Sequence, residues 1–390
     1  MNRAIVSTAS RHKLPDQASG HYYVVDTDSF QVIQCSEIIE PPFREYDTNP
    51  RGGVRGGKGI FIREDVVVLS NSSAVYIYDH DWIPLSIISH PSLGGIHDLC
   101  VVGEQVWITS SRNDLLFCFD FQEIILDYYD FRKMPEVFHD IKWKPKPYLS
   151  DKQIHSGHID FRDPRTHDPN VSDAAHINGV DILPGGDLLV SLGLLIDTKF
   201  SRLLLLKKWM VEKGIWKKWL SLNRMISRAF SMKKKMHSDM VIQPARAYSA
   251  VVRITENRQV KPCLSFYGTT VPSHSVRVLE DGSAVYLNTT NGELIHFSPE
   301  TGDIISKASI GIKFLRGVRQ MKDGHLLVGD NQSLYHYDHM QKKIIDTLKI
   351  SNDPDEAIYD IYIMPDDLTL PPISFPEHHK NYANTTTDKA

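Results

Sequence analysis

His97-Asp98-Leu99-Cys100-Val101-Val102, a two-residue turn and then Gln105-Val106-Trp107-Ile108-Thr109 decide the fold, because the same arrangement recurs along the chain. In each copy a His or Arg opens a short apolar run, a turn follows, and a second β-rich run comes after it. The other copies open at Arg55, His176, His274 and Arg316, and their second runs are Asp65–Leu69, Asp187–Ser191, Ser283–Leu287 and His325–Gly329. The starts at 55 and 97, and at 274 and 316, lie about 42 residues apart, and a sixth start, Tyr359-Asp360-Ile361-Tyr362-Ile363, falls about 43 beyond 316. A period of roughly 40–50 residues with several short strands per unit marks a β-propeller, an all-β ring of blades around a channel.

Composition agrees with one large domain. The 390 residues are 41% hydrophobic and 24% charged with a formal net charge of -4, an ordinary globular balance that gives no global case for nucleic acid. The opening residues 1–10 lack the apolar core of a secretory signal, and no run reaches the roughly 18 apolar residues of a spanning helix. A cytoplasmic location is therefore expected. Cys35, Cys100, Cys118 and Cys263 stand singly inside strand-like runs, as buried thiols of a reducing compartment do, without zinc or disulfide spacing.

Laid out from Arg55, blade 1 has strands near 58–63, 65–70, 74–79 and 83–88, and blade 2 near 97–102, 105–110, 115–120 and 123–128. Blade 3 opens at His176, continues over 187–192 and resumes only at Ser249, so it carries an insertion of about 55 residues. Blade 4 spans His274 to Ile310 and blade 5 Arg316 to Ile350. The sixth blade has its inner strand at Tyr359–Met364 and takes its other three from Ala4–Ser10, His21–Asp26 and Phe30–Glu37. Such joining leaves no free sheet edge. A six-bladed propeller over 1–365 is expected, with a long inter-blade loop at 126–175, a helical insertion at 195–247 and a disordered tail at 366–390.

The start of each inner strand and the loop between second and third strands open on the same propeller face. Arg55, His97, His176, His274 and Arg316 then form a polar ring at one channel mouth, the default place for a site. Two chemistries fit. His97, His176 and His274 could hold a divalent ion such as Zn²⁺ or Fe²⁺ with an open position. Alternatively, one His is nucleophile or general base while Arg55 and Arg316 hold an anionic group. The cations favour the second chemistry. Lys58, Asn178, Arg319 and Asp360 join Arg55 as expected substrate contacts; Asn178 could also ligate Ca²⁺.

The residues resemble the six-bladed propellers of the gluconolactonase, strictosidine-synthase and arylsulfate-sulfotransferase superfamilies, and most nearly an uncharacterised bacterial propeller family. The likeness rests on Ile96-His97-Asp98-Leu99 with Val106-Trp107, His176-Ile177-Asn178-Gly179 with Ser191-Leu192-Gly193, Pro272-Ser273-His274-Ser275 with Asn291-Gly292-Glu293-Leu294, and Arg316-Gly317. It spans about 55–330. Arylsulfate sulfotransferases move a sulfuryl group with channel histidines and an arginine, so the resemblance implies such roles for His97, His176, His274 and Arg316. Those enzymes are typically exported, unlike the expectation for this chain. Gluconolactonase-type enzymes hold a metal with carboxylates and an Asn, of which Asn178 alone matches.

Between Ser201 and Met236 the cations Arg202, Lys207, Lys208, Lys213, Lys217, Lys218, Arg224, Arg228 and Lys233–Lys235 face a single acid, Glu212, among Trp, Leu, Ile and Phe at helical spacing. This is the composition of an interfacial or partner-binding helix, or of a lid over the mouth. His139, His155, His158 and His167 of the inter-blade loop read as solvated surface. The expected function is transfer or hydrolysis on a small or lipid-like anionic substrate. The alternatives are a non-catalytic propeller binding a ligand, a protein or an anionic membrane through 201–236, and a metal-dependent lactonase-like or oxidative enzyme.

Overall fold

The computed structural model describes residues 2–375 apart from 12, 15–16, 18, 47–55, 135–136, 138–146, 169–171, 197–208, 211–212, 216–246 and 311–313. Strands β1 (Arg3–Ser10), β2 (His21–Asp26) and β3 (Gln31–Glu37) open the chain. Blade 1 is β4 (Ile60–Arg63), β5 (Val66–Ser70), β6 (Val75–Tyr78) and β7 (Pro84–Ile88). Blade 2 is β8 (Leu99–Val102), β9 (Gln105–Ser110), β10 (Leu115–Asp120) and β11 (Ile125–Asp130). Blade 3 is β12 (Ile177–Ile182), β13 (Leu188–Ile196), β14 (Ala247–Ile254) and β15 (Val260–Tyr267). Blade 4 is β16 (His274–Val278), β17 (Ala284–Asn288), β18 (Glu293–Phe297) and β19 (Ile304–Ser309), and blade 5 is β20 (Arg316–Gln320), β21 (Leu326–Gly329), β22 (Ser333–Asp338) and β23 (Lys343–Lys349). The last strand, β24 (Glu356–Ile363), pairs with β1 to give blade 6 in the order β24-β1-β2-β3.

The protein is therefore an all-β six-bladed propeller, each blade a four-stranded sheet. Burial explains the strand pattern. Middle strands such as β5 and β6 are buried at every residue, so they read as unbroken apolar runs, while outermost strands such as β3 alternate in and out. Apolar side chains of neighbouring blades interlock, as Val68 and Ile77 do with Ile108 and Phe117 between blades 1 and 2.

Each hairpin between third and fourth strands carries one residue with positive φ: Phe30 at 52°, Trp82 at 62°, Glu123 at 67°, Arg258 at 61°, Gly302 at 76° and Lys342 at 55°. Only blade 4 uses Gly there. In four of the others an Asp at the turn accepts the freed N–H groups, as Asp79 does from Asp81 and Ile83 at 2.9 and 2.8 Å and Asp120 from Gln122 and Ile124 at 2.9 and 2.8 Å; Asp26 and Asp338 serve the same way. These side-chain bonds offset the cost of the left-handed residue.

Glu356 locks the closure between the two ends of the chain. Its buried carboxylate receives Thr8 Oγ1 at 2.5 Å, Ser351 Oγ at 2.6 Å and Tyr23 Oη at 3.1 Å, and lies 2.8 Å from His21 Nδ1. Residues 366–375 pack across the neighbouring seam between blades 6 and 1, although the sequence reads as disordered from 366. Trp82 Nε1 donates to the Pro371 carbonyl at 3.0 Å, and the Phe375 ring packs on Tyr22, Tyr78 and Trp82. Apolar residues Leu368, Leu370, Ile373 and Phe375 pull this part onto the core, a pattern obscured in the sequence by interspersed prolines. Residues 376–390 lie outside the described residues.

Inside the channel a buried strut joins alternate blades. Arg277 of β16 reaches Asp98, just before β8, at 2.8 Å and Asp360 of β24 at 3.0 Å. Val180 N and Leu99 N donate to Asp98, and Ile60 N donates to Asp360. Burial lifts Asp98 to about 6 against the opposing pull of Arg277.

Two stability outcomes follow from these contacts. Removing one member of a buried ion network strands the others, at about 3–5 kcal/mol, so Arg277→Ala should lose that much in denaturant unfolding, and more than Arg277→Lys. Although burial opposes it, the hydrogen bonds from His21, Ser351 and Thr8 hold Glu356 down at about 2. A depressed carboxylate stabilises above its unfolded value of about 4.3 and loses that contribution as pH falls toward 2. His21, raised by the same contact, contributes below its ordinary value and loses this as pH rises through the folded one. Glu356→Gln should therefore lower Tm at pH 6 and weaken the dependence of Tm on acid between pH 4.5 and 2.

Candidate functional site

One side chain from the start of each inner strand reaches the same channel mouth. Lys58 precedes β4, His97 precedes β8 and His176 precedes β12; His274 and Arg316 begin β16 and β20, and Tyr359 lies in β24. Tyr359 is the hub. Lys58 Nζ sits 3.6 Å from its ring centroid and the Arg316 guanidinium carbon 5.0 Å. His97 stacks on the ring at 5.6 Å and 27°, and His274 meets it edge-on at 5.9 Å. His97 also lies 4.9 Å from His176 and 5.7 Å from His274, centroid to centroid.

Bulges accompany this convergence. Pairing slips by one residue at Asn178 in β12, Ser275 in β16, Gly317 in β20 and Tyr359 in β24. A bulge bends the strand and redirects its side chains. The backbone is strained here, with φ of 49° at His176 and 58° at Ser275, the kind of cost that persists when surrounding packing enforces it.

His176 is oriented from the inter-blade segment. Its Nδ1 lies 2.6 Å from Asp173 Oδ2, so a proton on Nδ1 leaves Nε2 as the basic nitrogen, on a ring packed against His97. The segment bearing both residues is pinned by Asp114, whose buried carboxylate accepts from Ala174 N and Ala175 N and pairs with Arg132 Nε at 2.6 Å. Arg132 also donates to the Ser172 carbonyl at 2.6 Å.

The electrostatics are one-sided. Burial pushes the Lys58 ammonium well below its ordinary value, and the charged neighbours that push it further are Arg316, Arg11 and Arg112. Burial, then His176, Lys58 and Arg316, lower His97; burial and Arg316 lower His274. Both imidazoles are neutral at physiological pH. Burial and Arg11 likewise lower Arg316. Among the described residues Lys58 and Arg316 form no ion pair, and His97 Nδ1, Arg316 Nε and Tyr359 Oη are buried without a hydrogen-bond partner. Asp173 Oδ1 and Asn178 Oδ1 are acceptors also left without a partner; Asp173 faces His176, and the excess of cations at Lys58 and Arg316 favours an anion beside them.

The structure brings together His97, His176, His274, Arg316 and Lys58, and Arg55 lies outside the described residues. Three expected substrate contacts are placed otherwise. Asp360 is held in the strut by Arg277 and Ile60 N. Arg319 donates to the Ile361 carbonyl and stacks over Tyr362, and Asn178 donates to the Ser273 carbonyl, tying blade 3 to blade 4. These bonds engage Asp360, the Arg319 Nε and the Asn178 amide N–H with protein, and leave Asn178 Oδ1 without a partner. Tyr359 and Asp173 are the additions. Tyr359 was visible as the sixth repeat start, and Asp173 stands three residues before His176; no polar-residue search at strand starts would select an aromatic ring.

Of the loop histidines, His155 and His158 are exposed as expected, His139 lies outside the described residues, and His167 is buried against Phe161 with Arg112 Nη1 at 3.0 Å from Nε2. Of 201–236, only 209–210 and 213–215 are among the described residues. The strand ends that flank it, Ile196 of β13 and Ala247 of β14, pair with each other beyond Leu192, the partner of Ile177 next to His176. Clefts of about 220 Å³, beside Trp82 and Pro371, and 310 Å³, beside Trp107 and Glu256, lie away from this mouth. Convergent chemistry, rather than cleft size, marks the candidate site.

No family model and no curated protein matches the chain. Solved structures do. A protein of unknown function from Bacteroides caccae is similar at 9% identity and TM-score 0.51, over 94% of this chain and 99% of the other. A nidogen/laminin complex chain matches at 9% identity and TM-score 0.51, over 92% and 98%. A virginiamycin B lyase from Staphylococcus aureus matches at 12% identity and TM-score 0.42, over 77% and 72%. These likenesses concern the fold.

Replacing Lys58, which has no ion pair among the described residues, with Met keeps the length and removes the buried charge. Lys58→Met should raise the Tm of protein dialysed free of phosphate and sulfate, and the gain should shrink when either anion is added. A lower Tm without anions would mean that Lys58 is a structural cation.

Proposed function

We propose that the protein binds a small or lipid-like anionic compound at this mouth and transfers or hydrolyses its anionic group. The observation that carries the reading is the pair formed by buried Lys58 and half-buried Arg316 without an ion-pair partner among the described residues. An anion placed there supplies the missing acceptors and offsets a desolvation cost the free protein bears. In this reading His176, oriented by Asp173, removes a proton from water or an acceptor hydroxyl. Tyr359 Oη and His97 donate to the developing charge, and Arg316 holds the group in line. The likeness of His97, His176, His274 and Arg316 in kind to the sulfuryl-transferring propellers supports an oxyanion substrate.

A divalent ion between the three histidines fits less well. Lys58 and Arg316 repel it, and the ring nitrogens of His97, His176 and His274 do not gather within 4.8 Å of one another. The second reading is a binding propeller without turnover; it is favoured by the basic segment 201–236, whose attachments flank the same mouth and whose composition suits an anionic lipid surface.

Calorimetry with phosphate and sulfate tests the binding step. Because an anion stabilises protonated Lys58, binding should take up protons, seen as a heat that varies with the ionisation enthalpy of the buffer. Lys58→Ala and Arg316→Ala should each weaken binding about 10- to 100-fold, the worth of a charge-assisted hydrogen bond. A panel of sulfate and phosphate esters tests the chemistry: His176→Ala should abolish turnover while retaining anion affinity. Binding without turnover of any ester by the unaltered protein would favour the binding module, and absence of binding would reject both readings.

A further inference from the structure

A second cluster lies on the opposite face of blade 5, at the turn between β20 and β21 and the end of β22 near the turn to β23. Asp323, His325 and His336 bring three metal-binding atoms within 4.8 Å of one another. His325 Nδ1 is 2.9 Å from His336 Nε2 and 2.9 Å from Asp323 Oδ2, and His336 Nε2 is 3.8 Å from the same carboxylate oxygen. We propose that these atoms form a binding site for Zn²⁺ or a similar transition-metal ion.

The edge lengths carry the argument. Ligands about 2.0–2.1 Å from a tetrahedral zinc stand roughly 3.3 Å apart, and the three separations bracket that figure. A single proton on His325 Nδ1 cannot serve both the imidazole nitrogen and the carboxylate that face it, whereas one cation serves all three atoms. The scaffold is rigid. Asp323 Oδ1 already accepts from His325 N at 3.0 Å, which fixes the turn. The other ring nitrogen of His325 lies 3.7 Å from Asp338 Oδ2, and Asp338 is itself held by Met340 N and Gln341 N. At that distance the carboxylate draws positive charge to His325 without a hydrogen bond, and a small approach would let it accept from Nε2–H of the ligating ring. Two imidazoles and one carboxylate select zinc, cobalt, nickel or copper over calcium and magnesium. The fourth position is open to water, since Asp323 and His325 are partly exposed.

Untagged protein titrated with Co²⁺ alone should develop the visible d–d bands of a tetrahedral site at one equivalent, and Zn²⁺ should bleach them. His325→Gln, His336→Gln and Asp323→Asn should each lose the bands. Asp323→Asn retains the turn acceptor and so controls for folding, and Asp338→Asn should weaken Zn²⁺ affinity about 10- to 100-fold. His274→Ala at the other mouth should leave the titration unchanged. Octahedral spectra only, bands that survive all three ligand substitutions, or loss of bands in His274→Ala would overturn the site.

Discussion

Arg277 bridges Asp98 and Asp360 across the channel, and this buried contact organises both the ring and its mouth. The three residues belong to blades 2, 4 and 6, so a single guanidinium ties alternate blades together where no backbone pairing does. It also divides the channel electrically. At the strut, cation and carboxylates compensate one another and backbone N–H groups satisfy the remaining oxygens. One to three residues nearer the mouth, at Lys58, His97, His274, Arg316 and Tyr359, no ion pair balances the cations among the described residues, and the nearby carboxylate of Asp173 is turned to His176. The same inner strands that bury a balanced network thus present an unbalanced one beside it. Structural need explains the first; in the second, desolvated cations rest on the Tyr359 ring without an ion-pair partner among the described residues, a cost that a bound anion would offset.

That difference guides which polar residues belong to function. Asp360, Arg319 and Asn178 are as polar as the ring residues and stand on the same inner strands. Each, however, is tied to protein: Asp360 to the strut, Arg319 to the Ile361 carbonyl with Tyr362, and the Asn178 amide N–H to the Ser273 carbonyl, although Asn178 Oδ1 is left without a partner. Tyr359 and His97 retain buried polar atoms without partners. Nearly all buried polar atoms in folded proteins are satisfied; of those left without partners here, His97 Nδ1, Arg316 Nε and Tyr359 Oη share one mouth with Lys58, where a single ligand would complete them together.

Most of the fold was legible because a propeller repeats its instructions. Each blade restates an apolar inner strand, a turn and a buried second strand, so errors in one copy are corrected by the others, and the sixth blade follows from three strands at one end and one at the other. Less was legible where the physics is local and unrepeated. The left-handed residues of the outer hairpins are Phe30, Trp82, Glu123, Arg258 and Lys342, none a residue whose type announces that conformation. Four of these turns work through Asp acceptors instead, and the Arg258 turn through Thr255. The segment 366–375 read as disordered because its prolines break periodicity, yet its apolar side chains find the blade 1 and blade 6 seam. The His and Arg starts revealed the mouth, but spacing alone could not separate residues that face it from residues that brace the neighbouring strand.

The histidines divide by the same reasoning. At the cationic mouth, burial and neighbouring guanidiniums keep His97 and His274 neutral, and a metal ion would add positive charge where it is already in excess. On the far face, Asp323 and Asp338 supply negative charge around His325 and His336, so a cation there would be drawn in. Imidazole is a versatile ligand and base, and its role is set by the sign of the charge around it. One fold therefore presents two histidine clusters suited to opposite partners, an anion where lysine and arginine surround the rings and a cation where aspartates do.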